Sequence, residues 1–118
     1  MAKSYRKERI NVTIKEALSD LLFNEVKDPR VGFVTITAVE VSKDYETAKV
    51  YYTVMGDDDE KEESRKGLIS AGSFLRKTIS AQLKLRNAPE LRFVYDDTLD
   101  RSIRVEEAIQ EWKKKEED

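Results

Sequence analysis

The chain of 118 residues contains no cysteine and no histidine. The first absence rules out disulfides and a thiolate nucleophile and fits a reducing compartment. Together the two absences remove the usual zinc ligands, the imidazole general base and the common serine or cysteine triads. Only carboxylate or lysine chemistry is left to an enzyme built from these residues. Long apolar runs are missing too, since nothing approaches the roughly 20 residues that a membrane span requires. The basic start, Lys3, Arg6, Lys7 and Arg9, leads into a segment that contains acids and not into the apolar core of a signal peptide, so a soluble, cytosolic protein is expected. No repeat and no linker-like composition divides the chain. Its length suits one domain, placed at 1–113, with a charged, flexible tail at 114–118.

What is present is charge, unevenly spread. The formal net charge is −2, but nine of the 24 acids lie in two runs, at 57–63 and 116–118. With those runs and Lys61 set aside, 21 bases face 15 acids. The imbalance is greatest between residues 64 and 92, where Arg65, Lys66, Arg76, Lys77, Lys84, Arg86 and Arg92 are opposed by Glu90 alone. A polyanion is the partner that such a stretch suits.

The apolar spacing of Ile10, Ile14, Ala17, Leu18, Leu21 and Leu22 predicts a helix from about Tyr5 to Val26, stopped by Lys27-Asp28-Pro29. Val34–Val41 and Ala48–Met55 are β-rich and joined by a polar connection, which predicts an antiparallel hairpin. In the second strand Ala48, Val50, Tyr52 and Val54 form the inward set; in the first, both faces are partly apolar and neither is singled out. Gly56 and the acidic run are expected to form a surface loop before a long helix that starts at Lys61 or Ser64 and ends near Leu85. Within it, Ala71-Gly72-Ser73 is either a kink, because glycine and serine both weaken a helix interior, or a place where Gly72 admits a close neighbour. Leu91, Phe93 and Tyr95 alternate as a third strand. A last helix over about 100–113, with Ile103, Ala108, Ile109 and Trp112, is expected to pack at an edge of the sheet.

On 100° steps with Leu75 inward, Leu68, Ala71, Gly72 and Ile79 share its side, while Lys66, Ser73, Lys77, Ser80 and Lys84 lie nearly opposite. Lysines reach phosphate oxygens, and small hydroxyl residues between them let a nucleic-acid backbone come close. A solvated outer face is the plainer alternative, although such faces ordinarily mix both signs.

The element order, with a small-residue break before the third strand, resembles a type II KH fold of class α+β: helix, strand, strand, kinked helix, strand, helix, with a three-stranded mixed sheet and helices on one face. The local sequences resemble the bacterial ribosome-binding factor A family. The matching pieces are Val26-Lys27-Asp28-Pro29-Arg30, Val34-Thr35-Ile36-Thr37, Val41-Ser42-Lys43-Asp44, Ala48-Lys49-Val50 and Ala71-Gly72-Ser73-Phe74-Leu75-Arg76, continuing through Leu85-Arg86-Asn87-Ala88-Pro89-Glu90-Leu91-Arg92-Phe93 to Tyr95-Asp96. The resemblance covers about Tyr5 to Trp112. It implies a non-enzymatic, monomeric assembly factor that binds the free small (30S) ribosomal subunit and assists late maturation of 16S rRNA, particularly in the cold, with no metal or cofactor. KH domains clamp nucleotides with a GxxG loop; this family has an Ala-x-Gly kink instead. Here Ala71 matches the alanine, Ser73 stands at the third position and the glycine is Gly72. The RNA-binding set is Arg6, Lys7, Arg9, Lys66, Arg76, Lys77, Lys84 and Arg86 from the charge pattern, with Ala71, Gly72 and Ser73 as the kink that the resemblance implies.

Two other classes compete. Asp96, Asp97 and Asp100 are a carboxylate cluster able to hold Mg²⁺ or act as acid and base, though Asp96-Asp97 also suits a turn and Asp100 a helix cap. A protein-binding adaptor would act through the acidic run or the last helix. No RRM-like aromatic platform is present, and Tyr51 is the only aromatic on the outer face of the second strand.

Overall fold

The computed structural model describes residues 2–31, 34–84 and 88–117. Helix α1 (Ala2–Asn24) is followed by a 3-10 turn (Pro29–Val31), strands β1 (Val34–Val41) and β2 (Thr47–Val54), helix α2 (Asp58–Gln82), strand β3 (Glu90–Tyr95) and helix α3 (Thr98–Glu117). α1 ends where Glu25 and Val26 both donate their amides to the Leu21 carbonyl, at 2.8 and 2.9 Å, ahead of a proline that cannot continue the ladder. The β1–β2 connection is tied by side chains. Ser42 Oγ donates to Asp44 Oδ1 (2.6 Å), which also accepts the Glu46 amide (3.0 Å), and these donors hold the Asp44 carboxyl below its ordinary range.

The sheet order is β1-β2-β3, with β1 antiparallel and β3 parallel to β2. This makes β2–β3 the parallel pair of the mixed sheet. A bulge shifts the register between Ile36 and Ala38, so β1 buries Ile36, Val39 and Val41, a spacing that strict alternation does not give. β2 buries Ala48, Val50, Tyr52 and Val54, the set expected from its alternation. Ile14 and Leu18 of α1 and Leu68, Leu75 and Ile79 of α2 complete the core, all 0% exposed. The other sheet face is open and carries Thr35, Ala38, Lys49 and Arg92.

The glycine that admits a close neighbour is Gly67. A Cβ there would stand 2.9 Å from Val31 Cγ1 and 3.0 Å from Arg30 Cβ, whereas at Gly72 it would meet only Phe93 Cε2 at an ordinary 3.9 Å. The segment that seats on Gly67 is held by an internal fork: Asp28 accepts the Arg30 backbone amide (2.9 Å) and, in addition, Arg30 Nε (3.0 and 3.1 Å) and Nη2 (2.6 Å). These bonds lower the Asp28 pKa from an ordinary 3.8 to about 2. A folded-state pKa below the unfolded one stabilises above the unfolded value and ceases to do so as pH falls through the folded one. The stability advantage of the wild type over Asp28→Asn should therefore be full above about pH 4 and fade between 4 and 2. Urea titrations of both proteins at pH 7, 4 and 2 measure it, and a constant difference would contradict the assignment.

Three expectations change. The acidic run is not a loop but the start of α2: Asp57 caps the helix by accepting the Glu60 amide (2.9 Å), and Asp58, Asp59 and Glu60 fill its first turn, where the helix dipole favours negative charge. Second, α2 is one uninterrupted helix through Ala71-Gly72-Ser73, so those small residues do not divide it. Finally, α3 does not pack at a sheet edge through the side chains described there. All of those from 105 to 114 are exposed, with Val105 at 57%, Ile109 at 47% and Trp112 at 61%. The helix also continues to Glu117, past the end expected at Lys113. The side chain of Ile103 lies outside the described residues.

Candidate nucleic-acid interface

Close to the middle of α1, in its N-terminal half, Asn11 Oδ1 accepts the Val41 amide (2.9 Å) at the end of β1. Near its C-terminal end, Leu22 and Val26 line a cavity with Val34 and Ile36 at the start of β1. α1 therefore runs antiparallel to β1. α2 runs opposite to α1, since Gly67 in its first half lies against Arg30 and Val31 before β1, and Arg76 in its second half reaches Ala88 before β3. The parallel pairing sets Glu90 beside Thr47, next to the end of β1. The N-terminal turns of α1 and the C-terminal turns of α2 thus meet at one end of the sheet.

That end collects much of the basic set. Arg6 and Arg9 are exposed on α1, with Lys7 half-buried, and Lys77 is exposed on α2. Lys84 is beyond the helix, which stops at Gln82; it takes a left-handed φ of 53° in the closing turn, the conformation that commonly ends a helix and a position where a cation complements the dipole. Ser73 is exposed on the outer face, while Ala71 and Gly72 are half-buried on the inner flank. Arg86 lies outside the described residues.

Two of the predicted cations have other partners. Lys66 Nζ is 3.6 Å from Glu63 and stands some eleven residues, about 16 Å, from Lys77 along the helix. Arg76 donates from Nε and Nη2 to the Ala88 carbonyl at 3.1 and 3.0 Å, clipping the segment between α2 and β3 onto the helix. Neighbouring Arg65 is forked to Glu62 (2.6 and 3.1 Å) and holds that carboxyl below its usual range. The acids that neutralise Arg65 and Lys66 belong to the acidic run, so the charge excess of the 64–92 stretch is smaller in the fold than in the sequence. Arg76→Met keeps the aliphatic stem and loses both bonds to Ala88. It should lower unfolding free energy by about 1.5 kcal/mol, read as a shift in the urea midpoint with unchanged slope.

Lys49 and Arg92 were legible as outward residues from strand alternation but were not assigned to the site. They are register partners across the parallel pair, exposed on the open sheet face, with Arg92 Nε 4.0 Å from Glu90. Tyr51 is half-buried between them and the bulge. The Asp28–Arg30 fork and Gly67 had no signal in the sequence beyond the family motif. As for the carboxylates, Asp96 builds a turn: Oδ1 accepts the Thr98 amide (3.0 Å) and Oδ2 accepts the Thr37 hydroxyl (2.7 Å). Asp100 lies inside α3 and so does not cap it. Among the described residues no acidic group is arranged to hold a metal ion, and no helix is long and apolar enough to cross a membrane.

Residues 6–109 match the family model described as ribosome-binding factor A. Over 106 residues the chain is 44% identical to the ribosome-binding factor A of Geobacter sulfurreducens, covering 90% of each protein. The crystal structure of ribosome-binding factor A from Thermus thermophilus has a TM-score of 0.68 at 26% identity, covering 75% of this chain and 93% of that one. A homology model of the T. thermophilus factor, fitted into the cryo-EM map of a 30S complex, gives 0.61 at 26% identity over 73% and 90%. The match spans both helices that bring the basic residues together and all three strands that position them, and the chain belongs to the ribosome-binding factor A family.

Proposed function

We propose that the protein binds the free 30S subunit through phosphates of 16S rRNA and assists late maturation of that RNA without catalysing a reaction. The observation that carries this reading is the meeting of Arg6 and Arg9 with Lys77 and Lys84 at one end of the sheet. Cations on separate elements, aimed from one end, suit a phosphate backbone better than an isolated charged helix does. The 30S complex of the T. thermophilus relative supports the choice of partner. In this reading the chain is a monomeric, cytoplasmic module of type II KH kind, active during assembly in the cold, whose continuous α2 presents Ser73 and Lys77 in place of a GxxG loop.

Sedimentation of the purified protein with free small subunits and with whole ribosomes, at two salt concentrations, tests it. Co-migration with free subunits, weakened at the higher salt, is expected because phosphate contacts release counterions. No co-migration at the lower salt would remove the reading. The exposed stripe of Val105, Ile109 and Trp112 on α3 favours a second one, a protein-binding adaptor. That reading gains if co-migration is lost on Trp112→Ala and unaffected by salt.

A further inference from the structure

An aromatic ring sits beside the basic residues and out of the core. Phe74 is 48% exposed, although on a helix with Leu75 and Ile79 wholly buried an apolar ring has an inner flank available. Its direction can be deduced. On 100° steps Phe74 shares a flank of α2 with Gly67, and Gly67 lies against Arg30 and Val31, the segment that follows α1. The opposite flank carries Gly72 and Arg76, which face Phe93 and Ala88 next to β3. Phe74 therefore projects toward α1.

The facing flank of α1 follows from the same geometry. Leu22 and Val26 point to β1, so the flank bearing Arg6 and Thr13 is turned to α2. With the helices antiparallel, Arg6 and Arg9 come opposite Lys77, and Phe74 lies one turn nearer the middle of α2, over the cleft that two neighbouring helices leave between them. Glu16 and Asp20 lie further still along α1, away from the basic end. At helix-neighbour positions the ring has Ser70, Ala71 and Thr78, all too short to cover it, and Lys77, which makes no ion pair among the described residues. A flat apolar surface beside unpaired cations is the arrangement that takes a single-stranded nucleotide, its base on the ring and its phosphate on the lysine.

We infer that Phe74 stacks on an unpaired base in the cleft between α1 and α2, and so gives the protein a preference for unpaired over duplex RNA that phosphate contacts alone do not confer. This rests on the RNA-binding reading above and adds a base contact to it. The test measures affinity of wild type, Phe74→Leu and Phe74→Trp for an oligoadenosine strand and for an RNA duplex of equal length, over a range of salt. Leucine keeps the apolar contact and removes the stacking plane; tryptophan keeps both. Phe74→Leu should weaken strand binding about five- to a hundredfold, leave duplex binding and the salt slope unchanged, and Phe74→Trp should bind the strand as well as wild type. Equal loss on strand and duplex, a reduced salt slope, or no loss would overturn the inference. A wild type that binds 30S subunits but does not prefer strand to duplex overturns the stacking alone. One that binds neither subunits nor either RNA overturns the underlying reading as well.

Discussion

Reversing two charges, Lys77→Glu together with Lys84→Glu, should lower affinity for free small subunits by about a hundredfold. Each lysine is assigned one charge-assisted phosphate contact worth about 1.5 kcal/mol, and two such losses correspond to that factor. The loss should be uniform across RNA sequences, because phosphates carry none. It should also flatten the dependence of log affinity on log salt by about 1.4, the single-strand value for two contacts. Lys66→Glu is the internal control. Lys66 already faces Glu63 and stands well down the helix from the basic end, so its reversal should change affinity far less. A Lys66 effect as large as that of the pair would move the interface to the first half of α2.

The largest effect on stability is expected from Leu75→Ala, at about 3–4 kcal/mol. Leu75 is 0% exposed within the cluster shared by both helices and the sheet, and truncating such a leucine loses its transfer free energy and leaves a cavity that close packing does not refill. Against a total of about 5–15 kcal/mol this is a large share, read as a melting temperature lower by about 15 °C. Ile69, of similar size on the same helix but 58% exposed, should tolerate alanine within about 0.5 kcal/mol. Comparable losses at the two positions would contradict the orientation of α2 on which the display of Ser73, Phe74 and Lys77 depends.

That orientation was readable from the sequence, because the apolar residues of α2 repeat at helical spacing and one inward leucine determines the rest. Likewise the inward face of β2 followed from alternation alone. β1 resisted the same treatment for a physical reason: the bulge at Thr37 breaks the period of two, so Ile36 and Val39 share a face that counting separates. The start of α2 was missed because a run of acids reads as a solvated loop, whereas Asp57 as cap and the helix dipole make it a first turn. For the candidate site, the sequence identified which residues are cations but not which are occupied. Arg76 bonds to a carbonyl twelve residues away, and Arg65 and Lys66 pair with acids lying just outside the basic window. Neither the antiparallel run of α1 and α2, which brings Arg6 and Arg9 opposite Lys77, nor the seating of Gly67 on Val31 leaves a mark in local pattern.

The Asn11 contact also bears on what the sheet can recruit. β1 is an edge strand, and the amides that point away from β2 would ordinarily template an added strand. At Val41 that outward amide is already taken by Asn11 Oδ1, and at Thr37 the bulge twists the edge out of register. A strand seeking to add itself must first evict a side chain from one end and then cross an irregularity midway along β1. The same helix that carries Arg6 and Arg9 thus obstructs strand addition at the Val41 end of β1.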